Sequence, residues 1–242
     1  MNKQLLYIPL LALSLAAMAA LPVRAAQDGQ ITVVELFTSQ GCNSCPPADA
    51  LAGELDERPD VFVLSWNVDY WDMLGWQDTL ASPENTQRQR DYNREMGRPG
   101  VYTPQMIVGG KAQVVGSDRE AVESAIADSD LRAGMLAYRF EGDSVIISLP
   151  ADSRAAKAVV TLVQYDTAQS VAIGSGENKG RSITYTHPVR KAERIGVWDG
   201  AAREIRVSKD QFCEAGNVIL VQQGPVGAIL HASLVGPVAR QR

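Results

Sequence analysis

The chain opens on an apolar block and then changes rhythm twice. Residues 5 to about 21 are mostly apolar, with one lysine, Lys3, ahead of them. Further on, ITVVELF (31–37) and VFVLSW (61–66) are short, nearly continuous apolar runs rich in β-branched residues, the pattern of buried strands. Between them, ADALAGELDE sets Ala48, Leu51, Ala52 and Leu55 at helical spacing, which predicts a helix from about Cys45 to Glu57, broken by Pro59–Asp60. NVDYWDMLGWQDTLASP (67–83) has no clear period. A helix follows over Glu84–Met96, with Ser82 as its cap and Pro83 in its first turn. QMIVGG and KAQVVG (105–116) read as an antiparallel hairpin turning at Gly109–Gly110, and Ser117 or Asp118 caps a helix over 119–129.

Two apolar strands joined through a helix make a βαβ unit with a parallel pair. The order strand, CxxC, helix, strand, helix, hairpin, helix is that of the thioredoxin fold. From about Arg132 the texture changes to short, often alternating runs such as SVIISL, AKAVVTLVQY and GNVILVQQ, separated by Gly, Asp and Pro. The expected fold class is therefore α/β, with a thioredoxin-like domain over 26–131 and a mainly β domain, a small sandwich of antiparallel strands, over 132–242.

The opening block has a charged start, an apolar middle of about 17 residues and a small-residue end at Val23 and Ala25. It reads as a secretory signal covering 1–25, so the expected location is periplasmic or secreted, with no stable membrane insertion after cleavage. Charge then adds a constraint. The chain carries 23 Lys+Arg against 28 Asp+Glu, a formal charge of -5, which becomes about -7 once Lys3 and Arg24 leave with the signal. No basic cluster supplies the phosphate neutralisation a nucleic-acid partner would need.

The chemistry concentrates at Cys42 and Cys45. Spaced i, i+3 around a helix start, such a pair can close a small disulfide and open it again, one thiol attacking and the other resolving. Other uses of the pair are half of a zinc site, for which no second pair is present, and a permanent structural disulfide. Pro46 and Pro47 lack N–H groups. A helix capped by Cys45 loses nothing to them, whereas one starting at Cys42 would be bent. Cys213, in DQFCEAG, is expected to be structural and inert.

Glu35 sits in the middle of an apolar strand, where a carboxylate needs a reason. It is either a proton acceptor for the second thiol, raised in pKa by burial, or an alternating position that faces solvent or is salt-bridged at the edge of the core. In a thioredoxin-like fold, Thr103–Pro104 would hold a cis proline facing the CxxC and leave the Thr103 backbone free to pair with an extended substrate. Trp66, Tyr70, Trp71 and Trp76 form either an apolar rim or core, and Asp69 and Asp72 either bind something or face water. The polar block 175–190 is either a loop beside the redox site or a solvated hairpin.

The segments VVELFTSQGCNSCPPAD, SWNVDYWDMLGWQDTLASP, VYTPQMIVGG and GENKGRSITYTHPVR together resemble the bacterial secreted DUF1223 family, grouped with thioredoxin-like proteins. The resemblance implies a thioredoxin-like fold, with Cys42 and Cys45 at the family's CxxC and Thr103–Pro104 at its TP; it implies no reaction. The function expected is thiol–disulfide exchange with an exported protein or small thiol, with Cys42, Cys45, Glu35, Thr103 and Pro104 at the site. It requires no dissociable cofactor and a separate redox partner to recycle the pair. The alternatives are a binding module built on a structural Cys42–Cys45 disulfide, and a factor carrying a soft ion such as Cu(I) on the thiols.

Overall fold

The computed structural model describes residues 30–238. The signal expected over 1–25 lies outside them. The first region comprises β1 (Gln30–Thr38), α1 (Pro46–Asp56), β2 (Val61–Asn67), α2 (Pro83–Glu95), β3 (Gln105–Val108), β4 (Ala112–Val115) and α3 (Arg119–Ala127). β1 pairs parallel with β2 and antiparallel with β3, and β3 pairs antiparallel with β4. This is a thioredoxin-like arrangement of a βαβ unit and a closing hairpin with its helix.

Local chemistry sets the helix starts. α1 begins with Cys45 as cap and the two prolines as its first residues, where their missing N–H groups waste no bond. Ser82 Oγ accepts the Asn85 N–H at the start of α2, and Asp118 Oδ1 accepts the Ala121 N–H at the start of α3.

β1 is buried on both faces after its first residue. Val34 and Leu36 pack with Leu51, Ala52 and Leu55 of α1 and with Val122 and Ile126 of α3. Val33 and Phe37 face the other way, toward Phe62, Leu64 and Trp66 of β2 and Tyr92 of α2.

The second region is mainly β: β5 (Ala133–Met135), β6 (Ala137–Glu141), β7 (Ser144–Leu149), β8 (Ala158–Tyr165), β9 (Gln169–Ala172), β10 (Ser182–Tyr185), β11 (Val189–Trp198), β12 (Arg203–Ser208), β13 (Gly216–Gln223) and β14 (Ile229–Val235). β11, β8, β13 and β14 form an antiparallel run, on which the three-stranded sheet β12-β7-β6 packs through Val145, Ile147, Val160, Leu162, Ile219 and Val221. The run then continues into the first region. β14 pairs parallel with β5, and β5 pairs antiparallel with the start of β1 through Ile31–Ala133 and Gln30–Gly134. One nine-stranded sheet thus passes through both regions. Its outer face in the second region, carrying Val163, Val218 and Leu220, closes over Phe62, Leu64 and Trp66. The β3–β4 turn sits at this junction. Gly109 and Gly110 have φ of 58° and 74°, and a β-carbon at Gly110 would strike the Gly227 carbonyl oxygen.

β9 and β10 stand apart as a two-stranded sheet. Ile183 and Tyr185 of this hairpin, with Ile173 after β9, pack with Trp76 and Leu80.

Candidate functional site

The turn after β1 carries the two cysteines, which are joined in a disulfide with Cα atoms 5.4 Å apart. The Cys42 N–H donates to Ser39 O and the Cys45 N–H to Cys42 O, and Cys45 O then receives the Ala48 and Asp49 N–H groups as the helix begins. Cys42 Sγ lies 3.4 Å from Ser44 Oγ. Asn43 and Ser44 are exposed, yet both cysteines have 0% exposure.

Two loops lie against this turn. Trp71 lies so close to Gly41 that a β-carbon there would come within 3.0 Å of Trp71 Cβ. From the second region, the β9–β10 connection reaches over. Asn178 Nδ2 donates to both Gln40 O and Cys42 O, at 2.9 Å each, and Asn178 is itself fully buried. Ser175 Oγ donates to Gly75 O, and Gly174 and Gly176 press against the Trp76 ring and its Cβ. Trp76 Nε1 in turn donates to Gln40 Oε1. The block 175–190 therefore supplies a cover fastened across the disulfide turn.

Thr103–Pro104 is a cis peptide. Trp71 Nε1 donates to Thr103 Oγ1 at 2.8 Å, so one tryptophan touches both the turn at Gly41 and the threonine. Gly116 is hemmed in by Pro104 Cβ, Ala48 Cβ and Leu36 Cδ1, which sets the proline beside the first turn of α1. The structure thus gathers Cys42, Cys45, Thr103 and Pro104 at one end of the sheet. Asp69 and Asp72 serve the adjoining loop internally, as acceptors for Thr86 Oγ1 and the Asp78 N–H.

Glu35 is placed elsewhere. It shares with Val33 and Phe37 the face of β1 turned away from α1. Arg88 grips it with Nε at 2.6 Å and Nη2 at 2.8 Å, Tyr92 Oη donates to the same carboxylate at 2.7 Å, and Gln222 of β13 bonds both Arg88 and Tyr92. Arg88 stacks over the Trp66 ring at 4.6 Å. Burial alone would lower the Arg88 guanidinium, but the Glu35 carboxylate beside it holds it above its usual range. Both Glu35 oxygens are occupied, in a network that ties β1, α2 and β13 together.

The acid beside the disulfide turn is Asp49, which the hydrophobic pattern does not single out. It is 2% exposed. Thr38 Oγ1 donates to its Oδ1 at 2.7 Å, while Oδ2 has no partner. Burial pushes its pKa up to about 8, against the pull of the Thr38 hydrogen bond and with a further push from Asp78. Asp78 is raised as well, mainly by burial; it accepts from the Gln40 N–H and from Asn67 Nδ2. The Tyr185 hydroxyl on the covering hairpin is buried without a partner and is raised by burial and by both acids. A sequence signal for Asp49 did exist. It stands four residues after Cys45 and three before Ala52, on the buried stripe of a helix.

Cys213 is the free cysteine among the described residues; it is half-buried, with its thiol on Gly216 O at 3.1 Å. No group of three or more His, Cys, Asp or Glu side chains among the described residues is arranged to hold a metal ion. No described helix is long and apolar enough to cross a membrane.

The chain is similar to a crystallographically solved protein from Agrobacterium tumefaciens, at 36% identity over 90% of this chain and 99% of that one, with a TM-score of 0.73. It is also similar to HBP35 of Porphyromonas gingivalis, at 14% identity over 89% of this chain and 79% of that one, with a TM-score of 0.55; that likeness speaks to fold alone. No curated protein matches. The family model described as "Protein of unknown function (DUF1223)" matches residues 33–222, most of the chain, and the chain belongs to the DUF1223 family.

Proposed function

We propose that this protein is an exported thiol–disulfide oxidoreductase that opens and recloses Cys42–Cys45 against an exported protein or small thiol. The observation that carries the reading is a CxxC disulfide at the start of α1 with a buried Asp49 carboxyl on the next turn of the same helix, one of its oxygens without a partner. Export rests on the leader read over 1–25.

In the reductive direction, a substrate thiolate attacks Cys42 Sγ and the Cys42–Cys45 bond breaks. Cys45 leaves as a thiolate and takes the proton of the Asp49 carboxyl. A second substrate thiolate then attacks the substrate sulfur of the mixed disulfide, so that Cys42 leaves reduced and the substrate departs oxidised. The reverse path uses Asp49 as the acceptor of the Cys45 proton. Helix side chains lean toward the N-terminus, which aims Asp49 back at Cys45. The proton role that strand position suggests for Glu35 is assigned here to Asp49, because Glu35 is already saturated by Arg88 and Tyr92. Thr103 offers its backbone to an extended substrate beside cis-Pro104.

A second reading, a binding module with a permanent disulfide, is favoured by the zero exposure of both cysteines. Equilibration of the Cys213→Ser protein with glutathione separates the two. A potential between roughly -120 and -270 mV is expected for an exchanger, whereas a pair that stays closed below about -300 mV fits the structural role.

A further inference from the structure

A concave surface lies at the C-terminal end of α2. It is a cleft of about 430 Å³, lined by Arg90, Arg94 and Arg98 together with the turn Pro99–Val101. The arginines recur every fourth residue, so the helix and its closing turn present them on one stripe. The closure is a tight one, with the Met96 and Arg98 N–H groups returning to Tyr92 O and Asn93 O and Gly97 at φ 66°.

Their charge is largely uncompensated. Arg94 pairs with Asp91 at 2.7 Å, and that carboxylate also accepts from Gln87. Among the described residues, neither Arg90 nor Arg98 has a carboxylate oxygen within 4.0 Å. Arg98 lies over the Tyr102 ring at 5.9 Å. Glu95, the neighbouring acid, does not line the cleft. Three exposed arginines around one cleft make it locally positive in a chain of net charge -5. Its position adds meaning. Val101, on the cleft wall, precedes Thr103 by two residues, about 7 Å of extended chain.

We infer that this cleft receives acidic side chains of the substrate polypeptide. A chain laid in extended form along Val101–Thr103 puts residues about two to four positions from its reacting cysteine over the arginines. Guanidinium forks grip carboxylates in pairs of charge-assisted hydrogen bonds, so the site selects acidic segments over neutral ones. The inference rests on the proposed exchange at Cys42, but its test does not require turnover.

The probe is a ten-residue peptide with serine in place of the reacting cysteine and three flanking glutamates. It is titrated into the oxidised protein by calorimetry and mapped by amide chemical shifts. The glutamate peptide is expected to bind about tenfold more tightly than its glutamine counterpart, as one or two charge-assisted hydrogen bonds imply. The preference should shrink with salt, with shifts centred on residues 98–104. Arg90→Glu with Arg98→Glu should abolish it, and the milder Arg90→Gln with Arg98→Gln pair should reduce it if the charge reversals disturb folding. Equal binding of the two peptides, shifts away from this cleft, or a preference that survives both double variants would overturn the inference. A glutathione potential outside the exchanger range would sink the redox reading and leave this result standing.

Discussion

The two faces of β1 each bury a carboxylate, and they treat it in opposite ways. On the face turned to the second region, Glu35 is held by a bidentate arginine and a tyrosine, with Gln222 closing the ring behind them. On the face turned to α1, Asp49 has one hydroxyl on one oxygen and nothing on the other. A buried charge survives only when paired, and a buried acid without a pair keeps its proton. Full pairing marks Glu35 as part of the framework. Incomplete pairing is what makes Asp49, rather than Glu35, the acid proposed to exchange a proton with Cys45.

The sharpest way to break the contrast is to empty the paired face. Glu35→Gln leaves Arg88 buried without its counter-charge and should cost about 3–5 kcal/mol in denaturant unfolding. Glu35→Leu with Arg88→Met, which removes both charges, should recover most of that loss. If Glu35→Gln is stable but changes the pH dependence of disulfide reduction, the roles of the two acids are reversed.

The unpaired face predicts a pH effect of opposite character. The folded Asp49 holds its proton up to about pH 8, while the unfolded one releases it near pH 3.9. Between those values the native state binds more protons than the unfolded state. Stability should therefore fall as pH rises through that window, by at most about 1.4 kcal/mol per unit, and level off above it. Asp49→Asn should flatten the slope. It should also slow opening of the disulfide by thiols at least about tenfold at pH 7, as expected for loss of a general acid. A parallel pH profile in the two proteins would refute the assignment.

A smaller effect is expected at the cover. Asn178→Ala removes the two bonds to Gln40 O and Cys42 O, worth about 1–3 kcal/mol together. Reduction by a small phosphine should then be several-fold faster. An unchanged rate would mean that the β9–β10 loop does not limit access. Smallest of all, Trp71→Phe loses the bond to Thr103 Oγ1, about 1 kcal/mol, and should raise the KM for a peptide substrate more than it alters kcat.

Much of this was legible in the chain. The apolar runs of β1 and β2, the helical spacing of α1 and the Gly109–Gly110 turn each follow from short-range chemistry; the doubled proline left two starts open for α1, of which the structure takes the one capped by Cys45. The covering loop was not, because a polar segment such as SGENKGR reads alike whether it is solvated or laid over a distant turn. Nor was the continuity of the sheet. β5 is three residues long, Ala-Gly-Met, too short to carry a period. The contrast between the acids was half visible. Glu35 stood out as a charge inside an apolar strand, whereas Asp49 had the ordinary look of an acid in a first helical turn.

The shared sheet also bears on how the protein comes into being. The side of β1 and β2 that holds Phe62, Leu64 and Trp66 is covered by strands as late in the chain as β13 and β14. A growing chain has both cysteines, three positions apart, available to join long before residue 229 exists to shelter that side. The disulfide can thus form early, while the half of the protein that carries it keeps an uncovered apolar side until almost the last strand has emerged.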